Sequence, residues 1–168
     1  MITTERLELH PLSLDQLILG LNSIEDLSNS LGIPLDKALF EGVVSRAVSM
    51  KVEKMSKTAV DFHEWFTYWL IVIKAGKTGV GLVGFKGSPD QDGSVEIGYG
   101  IDEKYRRNGY MSEAVKALIK WAFLYDNCTR VTATNVLANN YASQNVLLHS
   151  GFKLDSQTTE YHNFSILK

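Results

Sequence analysis

The sequence Ser94-Val95-Glu96-Ile97-Gly98-Tyr99-Gly100-Ile101 alternates with the period of a strand, and a few residues on it reads Tyr105-Arg106-Arg107-Asn108-Gly109-Tyr110-Met111-Ser112-Glu113-Ala114. From Met111 to Tyr125, apolar residues return at 111, 115, 118, 119, 122 and 123, one stripe of an amphipathic helix. The arginine-rich segment therefore joins a strand to the entrance of a helix. A glycine there lets the backbone curl so that successive N–H groups converge on an anion, and the helix dipole adds partial positive charge at that end. Arg106 and Arg107 add two full charges. The ligand that suits such an entrance is a diphosphate; the alternative is a well-capped surface helix with two solvated arginines.

Downstream, Val131 to Val136 reads as a short strand. Asn140 to Ser150 reads as a helix with Ala142, Val146 and Leu147 inward, stopped by Gly151 in the left-handed conformation, and strands follow at Phe152 to Leu154 and at Tyr161 to Leu167. Upstream, Trp65 to Ile73 and Val80 to Phe85 read as two strands joined by the turn Ala75 to Gly79, completing a three-strand antiparallel run with Ser94 to Ile101. At the start, Ile2 to His10 reads as one strand ended by Pro11. Ser13 caps a helix over Leu14 to Leu21, and Pro34 to Met55 is a second apolar-periodic stretch with Pro34 in its first turn. The fold expected is α+β, a mixed and mostly antiparallel central sheet flanked by helices, in one domain spanning residues 1–168.

Composition narrows the function classes. Seventeen basic against nineteen acidic side chains leave a formal charge of −2, without the positive field expected of a duplex-DNA binder, so nucleic acid is not expected as a partner. The single cysteine, Cys128, fits a reducing cytoplasm, and no Cys/His spacing suggests a metal. No apolar run approaches the ~20 residues that cross a bilayer, so no membrane partner is expected. Two glycine patterns are decoys. Gly76-Lys77-Thr78 lacks the upstream glycine of a Walker A loop, since Ile71 stands there, and Gly79-x-Gly81-x-x-Gly84 opens into a strand end and a turn where a helix is required.

Arg106 and Gly109 fit the pyrophosphate-loop pattern of GNAT acetyltransferases (Gln or Arg, two residues, Gly, one residue, Gly or Ala), which the segment Tyr105 to Ala114 resembles; Met111 departs from it where a small residue is usual. Val95 to Ile101 resembles the family's fourth strand. Asn140-x-x-Ser143 with Val146-Leu147 and Gly151-Phe152 resembles its second cofactor motif. With Thr4-Glu5-Arg6-Leu7, nearly the whole chain resembles the branch containing the RimJ and RimL ribosomal-protein acetyltransferases, residues 22 to 66 matching least.

The resemblance implies a GNAT-like fold and transfer of an acetyl group from acetyl-CoA, as donor co-substrate, to a primary amine on a protein N-terminus or a small molecule. No metal is implied, and a homodimer is left open. Arg106, Arg107, Asn108, Gly109, Tyr110, Met111 and Ser112 would hold the CoA phosphates, and Tyr99, Gly100 and Ile101 would pair with the pantetheine arm. Asn140 would bridge pantetheine amides, cap its helix, or do both. An amine must be neutral to attack a thioester, so a base or a desolvating site is required. Glu96 is the candidate base, with an ordinary salt-bridged strand glutamate as the alternative. Some relatives carry a glutamate on the fifth strand, where Asn135 stands here and cannot take up a proton. Ser143, with Tyr141 in reserve, is the candidate partner for the leaving thiolate, or else a simple helix cap. A different class of function, a catalytically weak CoA-binding sensor or interaction module, fits the same motifs.

Overall fold

Alternation from Ser94 to Ile101 buries Val95 and Ile97 on one face and leaves Glu96 half-buried on the other, as a strand with one well-covered face requires. The computed structural model describes residues 1–168. Its strands are β1 (Ile2–Thr3), β2 (Leu7–Pro11), β3 (Trp69–Ile73), β4 (Thr78–Phe85), β5 (Ser94–Ile101), β6 (Arg130–Leu137), β7 (Lys153–Gln157) and β8 (Tyr161–Leu167). The helices are α1 (Leu14–Asn22), α2 (Ile24–Leu31), α3 (Gly42–Met55), α4 (His63–Phe66), α5 (Tyr110–Ala122) and α6 (Tyr141–His149). The strands form one sheet in the order β1-β2-β3-β4-β5-β6-β8-β7. Only β5 and β6 run parallel, with α5 as the crossover between them. This is the mixed, mostly antiparallel sheet with flanking helices that the sequence led us to expect.

Two cores sandwich the sheet. Val95 and Ile97 pack with Met111, Val115 and Leu118 of α5. On the opposite face Leu70, Val72 and Leu82 pack with Leu17, Leu27, Val48 and Met55 from α1, α2 and α3. The aromatic cluster of Trp65, Trp69, Phe85, Trp121 and Tyr125 belongs to the first core, with Trp65 and Trp121 ring centres 4.7 Å apart. The glycines of β4 serve close packing: a Cβ at Gly81 would lie 2.7 Å from the carbonyl oxygen of Gly100 on β5.

Several boundaries differ from the sequence reading, each for a local reason. The single strand expected over Ile2 to His10 is two, paired as a hairpin with Ile2 opposite Leu9, because the Thr4 hydroxyl accepts from Leu7 N–H and stabilises a turn. Ile24–Leu31 is a helix of its own, capped by the Ser23 hydroxyl and stopped by Gly32 in the left-handed conformation. Pro34 opens no helix; its carbonyl accepts from Gly79 N–H, holding that segment against β4, and Gly42 begins α3 only after a turn of 3-10 helix over Lys37–Phe40. His63–Phe66 is helical, so β3 begins at Trp69. Ala142 is exposed, leaving Leu147 as the buried residue of α6.

Candidate active site

The segment joining β5 to α5 has the curled backbone its glycine suggested. Arg107 (φ 63°) and Gly109 (φ 77°) both lie in the left-handed region, on either side of Asn108. For an L-residue such as Arg107 that conformation costs about 1–2 kcal/mol, so something must hold it. Part of the answer is Asn108, whose side-chain amide donates to the carbonyls of Tyr105 and Arg106 at 3.2 and 3.0 Å. Its amide is thus committed to shaping the loop.

Gly109 is the N-cap of α5 and contributes no side-chain cap, and the main-chain N–H groups from Arg107 to Ser112 have no acceptor within the chain. Orphaned donors at a helix entrance, with the dipole behind them and Arg106 and Arg107 exposed beside them, form an anion cradle. Met111, the departure from the family pattern, has its side chain buried in the core beneath α5, away from the cradle. Tyr110 is half-buried and packs against the same core.

A gap opens beside this cradle. β5 pairs with β6 only at Ser94, Val95 and Glu96, opposite Arg130, Val131 and Thr132, whereas its pairing with β4 continues to Ile101. The carbonyl of Glu96 and the N–H of Asp102 both point to β4, toward Lys86 and Val80. By strand alternation Gly98 and Gly100 also direct their main-chain groups to β4; the Ile97 N–H closes the parallel ladder on Thr132, so the groups that face the gap are the Ile97 carbonyl and the N–H and C=O of Tyr99 and Ile101. Of the three residues expected to meet a pantetheine arm, Tyr99 and Ile101 thus present free donors and acceptors, while Gly100 presents space: a Cβ at Gly98 or Gly100 would meet nothing within 4 Å. These glycines lie on the same face as Leu82, toward α1, α2 and α3, as their pairing with Gly84 and Leu82 shows.

Glu96 stands at the apex, the last residue of β5 paired to β6. Lys86 Nζ donates to its Oε1 at 2.6 Å and Thr134 Oγ1 donates to the same oxygen at 2.8 Å, leaving Oε2 uncommitted. It is therefore salt-bridged and still has a free oxygen. Asn135, just beyond Thr134, is left-handed (φ 54°) at a bulge in β6, its N–H bonded to Asn163 Oδ1 at 2.8 Å.

Across the gap, Asn140 caps α6 by accepting from Ser143 N–H at 3.1 Å, so its capping role is realised and its Nδ2 is unspent. Ser143 meets a partner that sequence reasoning missed. The Tyr99 hydroxyl lies 2.9 Å from Ser143 Oγ and 3.0 Å from its carbonyl oxygen, bridging β5 to the start of α6. Burial pushes the Tyr99 phenol up to about 12, the hydrogen bond to Ser143 pulling weakly the other way, so it stays protonated and able to donate. Tyr141, the reserve candidate, is largely exposed.

A helix entrance with orphaned N–H groups opening onto a splayed parallel pair, within a mixed sheet flanked by helices, is the scaffold this chain presents. Residues 6–153 match the model of the acetyltransferase (GNAT) domain family, and the chain belongs to that family. It is 38% identical over 99 residues to the uncharacterized N-acetyltransferase YjdG of Bacillus subtilis (strain 168), covering 59% of this chain and 58% of that protein. YoaA of the same organism, also described as an uncharacterized N-acetyltransferase, is 30% identical over 93 residues, covering 55% of this chain and 52% of that one. The matched regions thus span little more than half of these relatives.

Among solved structures, a GNAT-family acetyltransferase from Bacillus anthracis superposes with a TM-score of 0.66 at 19% identity, covering 99% of this chain and 97% of that one. RimL, a ribosomal L7/L12 alpha-N-protein acetyltransferase in complex with coenzyme A, superposes with a TM-score of 0.67 at 16% identity, over 98% and 95%. At those identities the superpositions establish the shared fold. No helix is long and apolar enough to cross a membrane.

Proposed function

We propose that this protein transfers the acetyl group of acetyl-CoA to a primary amine, on a protein N-terminus or a small molecule, by direct attack on the thioester. The observation that carries this reading is the continuity of the unpaired N–H groups from Arg107 to Ser112 with the open edge of Tyr99 and Ile101. The first set suits a pyrophosphate, and the second suits an amide-bearing arm running from it toward Glu96. RimL, which shares this fold, has been solved in complex with coenzyme A, in keeping with a CoA ligand here.

The amine would approach over the bare floor at Gly98 and Gly100, from the side of α1, α2 and α3. Glu96 Oε2 would take its proton directly or through a water while Lys86 and Thr134 hold the other oxygen. A gap-facing N–H of β5 would donate to the thioester oxygen, where negative charge grows in the tetrahedral intermediate. The departing thiolate needs a hydrogen bond, which the Ser143 hydroxyl would give, with solvent supplying the proton. The Tyr99 phenol, donating to the Ser143 carbonyl oxygen, would accept from or release that hydroxyl.

Amine-dependent release of CoA over a panel of peptide N-termini and small amines tests the proposal. CoA binding without turnover on any acceptor would favour the alternative of a CoA-binding sensor. Glu96→Gln keeps the size of the side chain and removes its capacity as a base. We expect kcat/KM to fall by on the order of a hundredfold, the acidic limb of the pH–rate profile to vanish, and affinity for CoA to hold. An unaltered profile would eliminate Glu96 as the base.

A further inference from the structure

Arg6 lies about a hundred residues before the phosphate loop in sequence and touches its middle, at Asn108, Gly109 and Tyr110. Its Nη1 donates to the carbonyl oxygen of Asn108 at 2.9 Å, its guanidinium sits 4.8 Å from the centre of the Tyr110 ring, and its Nη2 is 3.4 Å from where a Cβ on Gly109 would be. The arginine is itself held. Its Nε donates to Glu113 Oε2 at 2.7 Å and its main-chain N–H to Glu113 Oε1 at 2.9 Å, and Thr4 Oγ1 donates to that same oxygen at 2.6 Å. Glu113 stands in the first turn of α5. Burial pushes its carboxyl up, but the hydrogen bonds from Thr4 and Arg6 and the charge of Arg6 outweigh this, so it lies below the ordinary carboxylate range and stays ionised.

The peptide plane gives these contacts a consequence. In a trans peptide the C=O of one residue and the N–H of the next point in opposite directions. Pinning the Asn108 carbonyl toward Arg6 therefore turns the Gly109 N–H away from Arg6 and fixes its direction. That N–H is one of the unpaired donors of the cradle. With Asn108 tied forward by its own side chain and backward through its carbonyl, the left-handed residues on either side of it have little freedom left.

We propose that Arg6 is a positioning residue for the phosphate loop, acting through the Asn108 carbonyl and braced by Glu113 and Thr4, so that the cradle is already formed before a ligand arrives. This rests on the loop being a pyrophosphate site. Preorganisation of this kind raises affinity for the phosphates and not for the rest of the ligand.

The test compares binding of CoA with binding of pantetheine, which has the same thiol arm and lacks the pyrophosphate and the adenosine 3′-phosphate, by calorimetry on the intact protein. For wild type, CoA should bind more tightly, and the ratio of the two affinities reads the half of the ligand that carries the pyrophosphate. Arg6→Gln should lower that ratio by about tenfold or more. A purely structural role would weaken both ligands alike and leave the ratio in place, which overturns the proposal. Arg6→Lys restores the charge, yet one ammonium cannot serve Glu113 and Asn108 as the guanidinium fork does, so the ratio should stay low; full recovery would show that charge alone matters and overturn the positioning role. Should Arg6→Gln not fold, Glu113→Gln is read in the same way. A wild-type ratio near one would instead refute the phosphate-loop reading itself, in a measurement that does not involve Arg6.

Discussion

Gly109→Pro is expected to leave the protein folded and unable to bind CoA measurably at concentrations that saturate wild type. Proline fixes φ near −65°, whereas Gly109 sits at 77°, so the loop cannot close as it does. The substitution also deletes the Gly109 N–H, the donor whose direction the Asn108 carbonyl sets. Two faults thus fall on one peptide unit. The forced change of φ at the entrance of α5 should also lower the unliganded melting temperature by several degrees, so binding is measured well below that midpoint. Gly109→Ala is the milder control: a left-handed alanine costs about 1–2 kcal/mol and its methyl would press on Arg6, 3.4 Å away, so an intermediate loss is expected. Calorimetric titration with CoA checks both, and a Gly109→Pro affinity within about threefold of wild type would defeat the assignment of the loop.

How much of this was legible in the sequence follows from the range over which each feature is determined. The β5 strand, the glycine entrance and the α5 stripe are set by neighbours a few residues apart, and their boundaries match to within a residue or a few. The helix over Ile24–Leu31 was equally local: Ser23 before it, Gly32 after it, and Ile24, Leu27 and Leu31 on one face spell its start, stop and stripe. The curled backbone at the helix entrance was likewise legible, since left-handed residues on either side of Asn108 are a short-range matter. What could not be read are pairings made by the sheet order. Arg6 meets Asn108 and Glu113 only because the hairpin of β1 and β2 lies along α5. Tyr99 meets Ser143 only because α6 starts across the gap from β5. Composition shows these residues, and only tertiary structure shows that each is already engaged.

Lys51 is the case where periodicity held the signal and charge concealed it. Val48, Lys51 and Met55 share one face of α3, so a lysine occupies a core-facing position; it is 7% exposed. Its Nζ donates to the carbonyl oxygens of Phe66, at 3.0 Å, and Phe85, and lies 4.5 Å from the centre of the Tyr68 ring, with no carboxylate against it. Burial, aided by the charges of Lys54 and Lys86, pulls its ammonium from the ordinary 10.5 down to about 7. The consequence for stability has a definite sign. Between about 7 and 10.5 the unfolded chain keeps a proton that the folded protein has released, so stability rises with pH across that window. Below about 7 both states carry the proton, and the fold bears the full cost of burying an ammonium. The gap corresponds to at most about 5 kcal/mol, of which a few should be measurable after local relaxation.

Lys51→Met fills the same space without a titrating group. Its loss of two donors is a constant penalty, while the pH-dependent part disappears. Denaturant unfolding of both proteins at pH 7 and at pH 10 isolates the effect, since every other titrating group is common to the pair. Wild type should gain on the variant by a few kcal/mol between the two conditions. A difference that stays constant with pH would mean that Lys51 remains charged inside the fold, its two carbonyls and the Tyr68 ring replacing water. In that event α3 would be fastened to the end of β4, one residue from the Lys86 that holds Glu96, by an intact cation at every working pH.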